Sequence, residues 1–247
     1  MTRAAATHVP AETDWLCEGC GYTLNGLPEG GNCPECGKPT HESASQIRVL
    51  PLWERPQGGS AVFRFFATTA QVIFHPTRFY RSFATRGSRE HSLQFARIHW
   101  LIASALFGIT AWVHLDWFTG LSPTARIGRY VPWYFAPVFA ALAYVFLAMI
   151  TRLAGRLTTF EATYRGLRLP IKVVLRGLDY HAAHYLPVAL ITILTVVGYR
   201  LALAHSITIT SWGTGYLYTL CAEVVLAAAY LFKTYWIGMR NMMYASR

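Results

Sequence analysis

Apolar residues are concentrated in the second half of the chain, where they form long runs with little charge. A helix that crosses a bilayer needs ~20 mostly apolar residues. We predict four crossings, at about residues 95–115, 131–151, 185–205 and 216–237. A soluble protein would instead distribute the same residues at helical or strand periods. The pattern therefore predicts an all-α, multi-pass membrane helical bundle over residues 91–247.

The low charge content of the chain supports this membrane prediction. Hydrophobic residues make up 53% of the chain and charged residues 14%, against roughly 25% charged residues in a soluble domain. The net charge is +10, but the basic residues lie mostly beside the apolar runs, where positive charge sets topology and meets anionic headgroups. We therefore expect the lipid bilayer as a partner, and no nucleic acid.

The distribution of basic residues predicts the orientation of the crossings. Two regions are rich in them, one before the first crossing and one between the second and third: Arg78, Arg81, Arg86, Arg89, Arg152, Arg156, Arg165, Arg168, Lys172 and Arg176. The first-to-second loop has only Arg126 and Arg129, and the third-to-fourth loop has none. The positive-inside rule places both termini and the middle loop in the cytoplasm. Residues 1–10 contain no apolar signal-peptide core.

Four cysteines near the N-terminus have the spacing of a zinc ribbon. They form two Cys-x-x-Cys pairs separated by twelve residues: Cys17, Cys20, Cys33 and Cys36. Gly21 and Gly37 follow the pairs, where the backbone must fold back. Four thiolates leave no position for water, so residues 17–40 are predicted to bind one structural zinc ion. Two disulfides are disfavoured in a reducing cytoplasm, whereas iron in a rubredoxin-like site stays an alternative.

The ribbon is too small to fold on an apolar core alone, so metal binding should supply much of its folding energy. Tyr22, Leu24 and Leu27 are expected to form a small apolar backing for the metal site. Residues 1–16 are predicted to be a disordered tail. Residues 41–60 contain several prolines and a Gly-Gly pair without a sustained period, and they are predicted to be a linker.

Residues 61–90 combine aromatic and basic positions and are predicted to be an interfacial amphipathic segment. Apolar residues recur there at helical spacing: Phe63, Phe66, Ala70, Ile73 and Phe74. His75 and Pro76 should break the segment, with Pro76 starting a second helix. Such a segment suits a helix that lies in the membrane interface. A helix packed on the loops of the membrane domain is the alternative.

Two ionisable residues within the predicted crossings are candidates for an intramembrane ion pair. Arg200 lies ten residues before the middle of the third-to-fourth turn, and Glu223 about thirteen after it. In an antiparallel hairpin these positions differ in depth by only ~5 Å. We predict that they pair between the third and fourth crossings. A structural ion pair is the simpler interpretation, and a transport or proton-relay pathway is the alternative.

Asp179, His181 and His184 form a compact group just before the third crossing. On a helix the two histidines share a face, so a second metal site, and with it a membrane enzyme, is a further hypothesis. Anchoring at the membrane interface is the simpler explanation. The sequence contains no Gly-rich phosphate loop, nucleophile elbow or His-Glu-x-x-His helix, so no catalytic residues are assigned.

Two stretches resemble known families. Residues 17–37 have the pattern Cys-x-x-Cys-Gly-Tyr-x-Leu-x-Gly-Leu-Pro followed by Cys-Pro-x-Cys-Gly, which resembles the N-terminal zinc ribbon of a group of uncharacterised bacterial membrane proteins. Residues 74–80, Phe-His-Pro-Thr-Arg-Phe-Tyr, and more loosely residues 175–186, are similar to the Yip (Ypt-interacting protein) domain family. The similarity to the Yip family implies a multi-pass helical protein that binds partners rather than catalysing a reaction. The resemblance to the bacterial proteins implies a location in the bacterial cytoplasmic (inner) membrane.

These observations favour a non-enzymatic integral membrane protein. Its zinc ribbon would present a rigid surface to an unidentified cytoplasmic protein, and the helical bundle would anchor the ribbon or organise the membrane. A homo-oligomer is compatible with this hypothesis. The alternative is a small-solute or ion transporter or channel that uses Arg200 and Glu223.

Overall fold

The computed structural model of the protein describes residues 14–28, 30–44, 48–57, 59–84, 87–120, 131–164, 169, 171–204 and 212–243. Within these ranges the structure is helical, and it contains isolated β-bridges but no strand. The α-helices are α1 (Thr40–Ala44), α2 (Ala61–Phe74), α3 (Pro76–Ser82), α4 (Arg89–Gly120), α5 (Phe135–Tyr164), α6 (Ile171–His181), α7 (Tyr185–Ala204) and α8 (Trp212–Met242). Two 3₁₀ turns occupy Leu52–Glu54 and Ala182–His184.

Among the described residues, four helical segments are long and apolar enough to cross a membrane, which confirms the predicted fold class. They are Arg89–Asp116, Phe135–Tyr164, Ile171–Ala202 and Thr214–Met242. The helices extend beyond the predicted crossings, because the charged residues that end an apolar run, such as Arg152 and Arg156 on α5, are good helix formers. The residues expected in the first-to-second loop, Arg126 and Arg129, lie outside the described residues.

The described residues divide into two compact units. The first comprises the described residues within 14–96, 151–181 and 234–243, and the second comprises those within 97–150 and 182–233. The first unit holds the four clustered cysteines, α1 to α3 and α6. The second unit holds most of the length of α4, α5, α7 and α8.

Within the second unit, α4 and α5 pack closely through small side chains. A Cβ atom added to Gly108 would lie 2.5 Å from the carbonyl oxygen of Ala136 and 2.7 Å from the Cβ of Ala140. Helices packed in lipid gain their stability from such close backbone approach. Any side chain at Gly108 would therefore separate the two helices.

The segments before α2 are more ordered than the sequence suggested. Residues 1–13 of the predicted tail lie outside the described residues, but Leu16 is buried at 1% exposure and belongs to the cysteine-bearing domain. The described part of the predicted linker is not a free tether. Val49 forms a parallel bridge with Phe83, and Glu54 is buried at 8% exposure. Charged residues within the linker fix it to the first unit, and its composition gave no sign of this.

Helices α2 and α3 meet where the sequence predicted a break. The backbone leaves helical geometry at His75, and Pro76 occupies the first turn of α3, where its missing N–H and fixed φ are tolerated. At the start of α2, the Ser60 hydroxyl accepts a hydrogen bond from the backbone N–H of Phe63. This N-cap satisfies one of the free N–H groups of the first turn.

Candidate functional site

The two Cys-x-x-Cys turns have the same backbone geometry. In the first, the N–H of Cys17 donates to Tyr22 O, and the N–H of Gly21 donates to Cys17 O, both at 2.8 Å. In the second, Cys33 and Gly37 repeat the two bonds at the same distance. Gly21 and Gly37 have φ values of 80° and 72°, a region that L side chains rarely adopt. The predicted glycine turns are therefore present in both halves.

The four sulfur atoms converge on one point. The Cys17 and Cys36 Sγ atoms are 3.6 Å apart, those of Cys20 and Cys33 are 3.5 Å apart, and all four lie within 4.8 Å of one another. A tetrahedral ion with Zn–S bonds of about 2.3 Å would separate its sulfurs by roughly 3.8 Å. Disulfide bonding would require about 2.05 Å. The cluster therefore fits a four-thiolate metal ion rather than two disulfides, and no ligand position is left for water.

The cysteines differ in how readily they ionise. Burial raises the pKa of Cys17, but hydrogen bonds from the backbone N–H groups of Cys20 and Gly19 lower it, and the net result is a pKa of about 7. Burial raises the pKa of Cys20 far above its usual range. Because a metal binds the thiolate form, the lowered pKa of Cys17 favours metal binding at neutral pH.

A small apolar cluster supports the sulfurs. Leu24 is fully buried against Cys17 and Cys33, with Trp15 and Leu27 packed beside it. Of the three predicted backing residues, Leu24 and Leu27 are therefore in place. Tyr22 is 42% exposed and does not belong to this cluster. The sequence pattern could not distinguish the exposed Tyr22 from the buried Leu24 and Leu27, because the segment is too short for alternation to define a buried face.

The cysteine domain is fixed to the rest of the first unit by a buried ion pair. A guanidinium nitrogen of Arg48 lies 3.0 Å from Glu18 Oε1, and the two side chains are 7% and 8% exposed. Glu18 lies between Cys17 and Cys20, so the ion pair attaches directly to the first cysteine turn. The backbone N–H of Glu18 also donates to Ser43 Oγ on α1, at 3.1 Å.

Arg48 connects the cysteine domain to α3 and α8. Besides Glu18 it donates to the carbonyl oxygens of Tyr80 and Phe83 on the α3 side, and to that of Asn241 near the end of α8. These distances are 3.3, 3.3 and 3.1 Å. A buried charge is stable only when it is paired and hydrogen-bonded; both terminal nitrogens of Arg48 are hydrogen-bonded, while its buried Nε has no partner among the described residues. The ribbon is therefore attached to the α3 side and to the end of α8 rather than carried on a free tether.

A second buried charge cluster lies in the same unit and was missed from the sequence. Arg176 and Tyr180 both donate to Glu54 Oε1, at 2.5 Å each. Arg176 also donates to Ala84 O and lies 4.7 Å from the ring centroid of Phe83. From the sequence, Arg176 is expected only to contribute positive charge that sets the orientation of the crossings. Its i, i+4 spacing from Tyr180 is the signal that both side chains could reach one acceptor.

The intramembrane residues do not pair as predicted. A guanidinium nitrogen of Arg200 lies 3.3 Å from an Asp116 carboxylate oxygen, so the structure does not form the predicted Arg200–Glu223 pair. Both Glu223 carboxylate oxygens are buried and have no hydrogen-bond partner among the described residues. His114 Nδ1 lies 2.6 Å from the Tyr216 hydroxyl. The rise per residue predicts how deep a residue lies along its helix, but it does not predict which neighbouring helix its side chain faces.

The described parts of the structure do not gather Asp179, His181 and His184 into a metal site. The cysteines are the only cluster of metal-ligating side chains among the described residues. His184 lies in the 3₁₀ turn that follows α6, so the α-helical spacing assumed for the two histidines does not hold. Each of the three side chains has its own polar neighbour: Ser92 for Asp179 at 2.8 Å, Thr234 for His181 at 2.9 Å and Tyr230 for His184 at 2.7 Å.

Within the described residues, the geometry defines a class of protein: a multi-helix chain with four candidate membrane spans and one cluster of four cysteines that could hold a metal ion. Comparison with protein-family models, curated proteins and solved structures finds no match to this chain. The resemblances to bacterial zinc-ribbon membrane proteins and to Yip domains therefore stay expectations.

Proposed function

We propose that the chain is a non-enzymatic integral membrane protein whose structural zinc ribbon binds a cytoplasmic protein partner. The observation that carries this proposal is the docked four-cysteine domain. Its sulfurs fit a closed metal site, and the buried Arg48–Glu18 pair attaches it to the helical part. A metal with four protein ligands has no position for substrate. Its contribution is therefore rigidity, which lowers the entropic cost of binding a partner.

The solvent-facing side of the ribbon supplies a candidate contact surface. Tyr22 is 42% exposed although it lies next to the rigid first turn. Exposed tyrosines are enriched in protein interfaces because they offer large contact area with few rotatable bonds. The proposed orientation, with ribbon and C-terminus in the cytoplasm, follows from the positive-inside rule.

Affinity purification from native membranes tests the proposal with three variants. Cys17→Ser with Cys20→Ser removes the metal site, Tyr22→Ala changes only the exposed surface, and Tyr164→Ala removes another tyrosine, 84% exposed at the end of α5. We expect one partner to co-purify with wild type and Tyr164→Ala, to weaken with Tyr22→Ala, and to be lost without the metal site. The partner's binding is then repeated with purified components. Equal recovery from all variants would contradict the ribbon's role.

Transport is the second candidate function, and Glu223 is the observation that favours it. A carboxylate whose two oxygens are buried without a partner among the described residues is costly inside a membrane. Such groups mark proton or ion pathways more often than structural sites. If the protein transports, Glu223→Gln in proteoliposomes should abolish flux while zinc content stays unchanged. Absence of any flux in wild type, for protons and for small cations, would remove this candidate.

A further inference from the structure

Helix α2 presents apolar side chains on two opposite faces. Phe65 and Val72 are buried in the first unit. The other face remains exposed although it is apolar, with relative exposures between 59% and 74%: Val62, Phe63, Phe66 and Phe74. We call these four residues the outer face of α2. An exposed apolar face of this kind favours an apolar environment on that side of the helix as well.

The only charged residue of α2 does not serve the outer face. The Arg64 guanidinium donates to the backbone carbonyl oxygens of Trp53 and Arg55, at 3.4 and 2.7 Å. It thereby holds α2 against the preceding segment. The outer face is consequently free of charge, as burial in lipid requires.

The contacts of the inner face place α2 beside the start of a membrane span. The ring centroid of Phe65 lies 5.4 Å from that of Phe95, which belongs to the candidate span Arg89–Asp116. Phe95 lies within the first two turns of α4. If Arg89–Asp116 crosses a membrane, α2 packs against the end of that span and its outer face lies at the level of a bilayer boundary. Lipid is therefore the occupant that this position favours.

A basic groove opens where α2 meets α3. It has a volume of about 450 Å³ and is lined by Arg55, His75 and Arg78, with an apolar floor that includes Leu52 and Phe79. Its lining, taken from the described residues, contains no Asp or Glu. The groove therefore combines positive charge with an apolar surface, which are the two features of a phospholipid site.

The nitrogen-bearing side chains of the groove are available for a ligand. Arg55 Nε donates to Leu50 O at 2.6 Å, which fixes the guanidinium in place. Its two terminal nitrogens, the Arg78 guanidinium and the His75 ring have no hydrogen-bond partner in the described part of the chain. Arginine binds phosphate oxygens in a bidentate manner, so the Arg78 guanidinium and the two terminal nitrogens of Arg55 suit one phosphate.

We propose that this groove binds the phosphate of an anionic phospholipid from the bilayer that covers the outer face of α2. Arg55 and Arg78 bind the phosphate oxygens. His75 lines the same groove at the junction of the two helices. The site goes beyond the proposed ribbon function, and it depends only on the membrane placement of the helices.

Native mass spectrometry of the full-length, zinc-loaded protein tests the site. The probes are phosphatidylglycerol and, as a lipid with the same phosphate but no net charge, phosphatidylcholine. We expect wild type to retain phosphatidylglycerol preferentially. Arg55→Gln and Arg78→Gln should each reduce retention by about fivefold, the effect of one basic residue near an anionic surface. The control Arg156→Gln removes an exposed arginine of α5 outside the groove and should leave retention unchanged.

Each remaining outcome either supports or overturns the proposal. If Arg156→Gln reduced lipid retention as much as Arg55→Gln and Arg78→Gln do, or if the protein retained both lipids equally, the binding would reflect diffuse charge attraction. Either result would overturn the proposal. Displacement of the lipid by inorganic phosphate alone would identify a soluble-anion site instead. Benzoylphenylalanine at Phe66 should crosslink to phospholipid in nanodiscs, and a crosslink to another protein chain would overturn the lipid assignment. Unchanged zinc content in every variant serves as the test of folding.

Discussion

Replacing Arg48 by methionine tests whether the ribbon is held in place by the buried ion pair. The substitution keeps the aliphatic stem but leaves Glu18 without its charged partner, at a position where the side chain is only 8% exposed. It also removes the hydrogen bonds to the carbonyl oxygens of Tyr80, Phe83 and Asn241. Breaking a buried ion pair by removing one partner costs about 3–5 kcal/mol.

This cost sets the expected size of the effect. At about 1.4 kcal/mol per factor of ten, the docking equilibrium should shift by roughly a hundredfold to a few thousandfold. Glu18→Gln also removes a charged partner, but Arg48 keeps the glutamine oxygen and its three backbone carbonyl oxygens as acceptors, so we expect a smaller shift of the docking equilibrium, by about tenfold. Glu42→Gln breaks the exposed Lys38–Glu42 pair, at 3.8 Å, and should change it by no more than about twofold.

Hydrogen–deuterium exchange in nanodiscs measures these shifts. The informative amides lie in α1 and in the last turns of α8, because Arg48 and Glu18 connect both elements to the ribbon. We expect exchange to accelerate in the order Glu42→Gln, Glu18→Gln, Arg48→Met, with slower exchange retained in α5. Equal exchange rates in wild type and Arg48→Met would refute the reasoning. Equal acceleration by Glu18→Gln and Glu42→Gln would show that burial of the pair does not matter.

Three further predictions concern the metal centre and the topology. Gly37→Ala places a side chain at φ 72° and should weaken zinc retention against a chelator, whereas Gly30→Ala, which meets no atom within 4 Å, should not. Zinc uptake should weaken as the pH falls from about 8 to about 6, because protons compete for the Cys17 thiolate, whose pKa is about 7; pH-independent uptake would contradict this. Alkaline phosphatase should be active when inserted within residues 121–130 and inactive when fused after Arg247, and the reverse result would invert the proposed topology.

The parts of the structure that depend on local pattern could be predicted from the sequence. Cysteine spacing and the glycines that follow each pair define the turns, because both features act within a few residues. The break at His75 and Pro76 is local in the same sense, since proline fixes its own φ. The four long helices follow from the length of their apolar runs, which the bilayer thickness sets.

The parts that depend on long-range contacts could not be predicted. Arg48 and Glu54 lie in a stretch whose prolines and glycines are typical of a linker, yet their partners are brought together by the fold. Arg200 and Glu223 illustrate the limit of geometry along a helix. Their depths could be estimated, but the rotation of each helix determines that Arg200 contacts Asp116 instead. When a helix is apolar on most sides, its sequence alone does not predict how the helix is rotated about its own axis.

The bond between Arg48 and the carbonyl oxygen of Asn241 has a consequence for biogenesis. The two residues are 193 positions apart, and synthesis at roughly 5–20 residues per second separates them by about 10–40 seconds. The metal ligands span only 19 positions, so the ribbon can load its ion soon after it leaves the ribosome. Its docking surface is completed only when α8 has been synthesised. Docking of the ribbon on the end of α8 would then report that synthesis has passed Asn241.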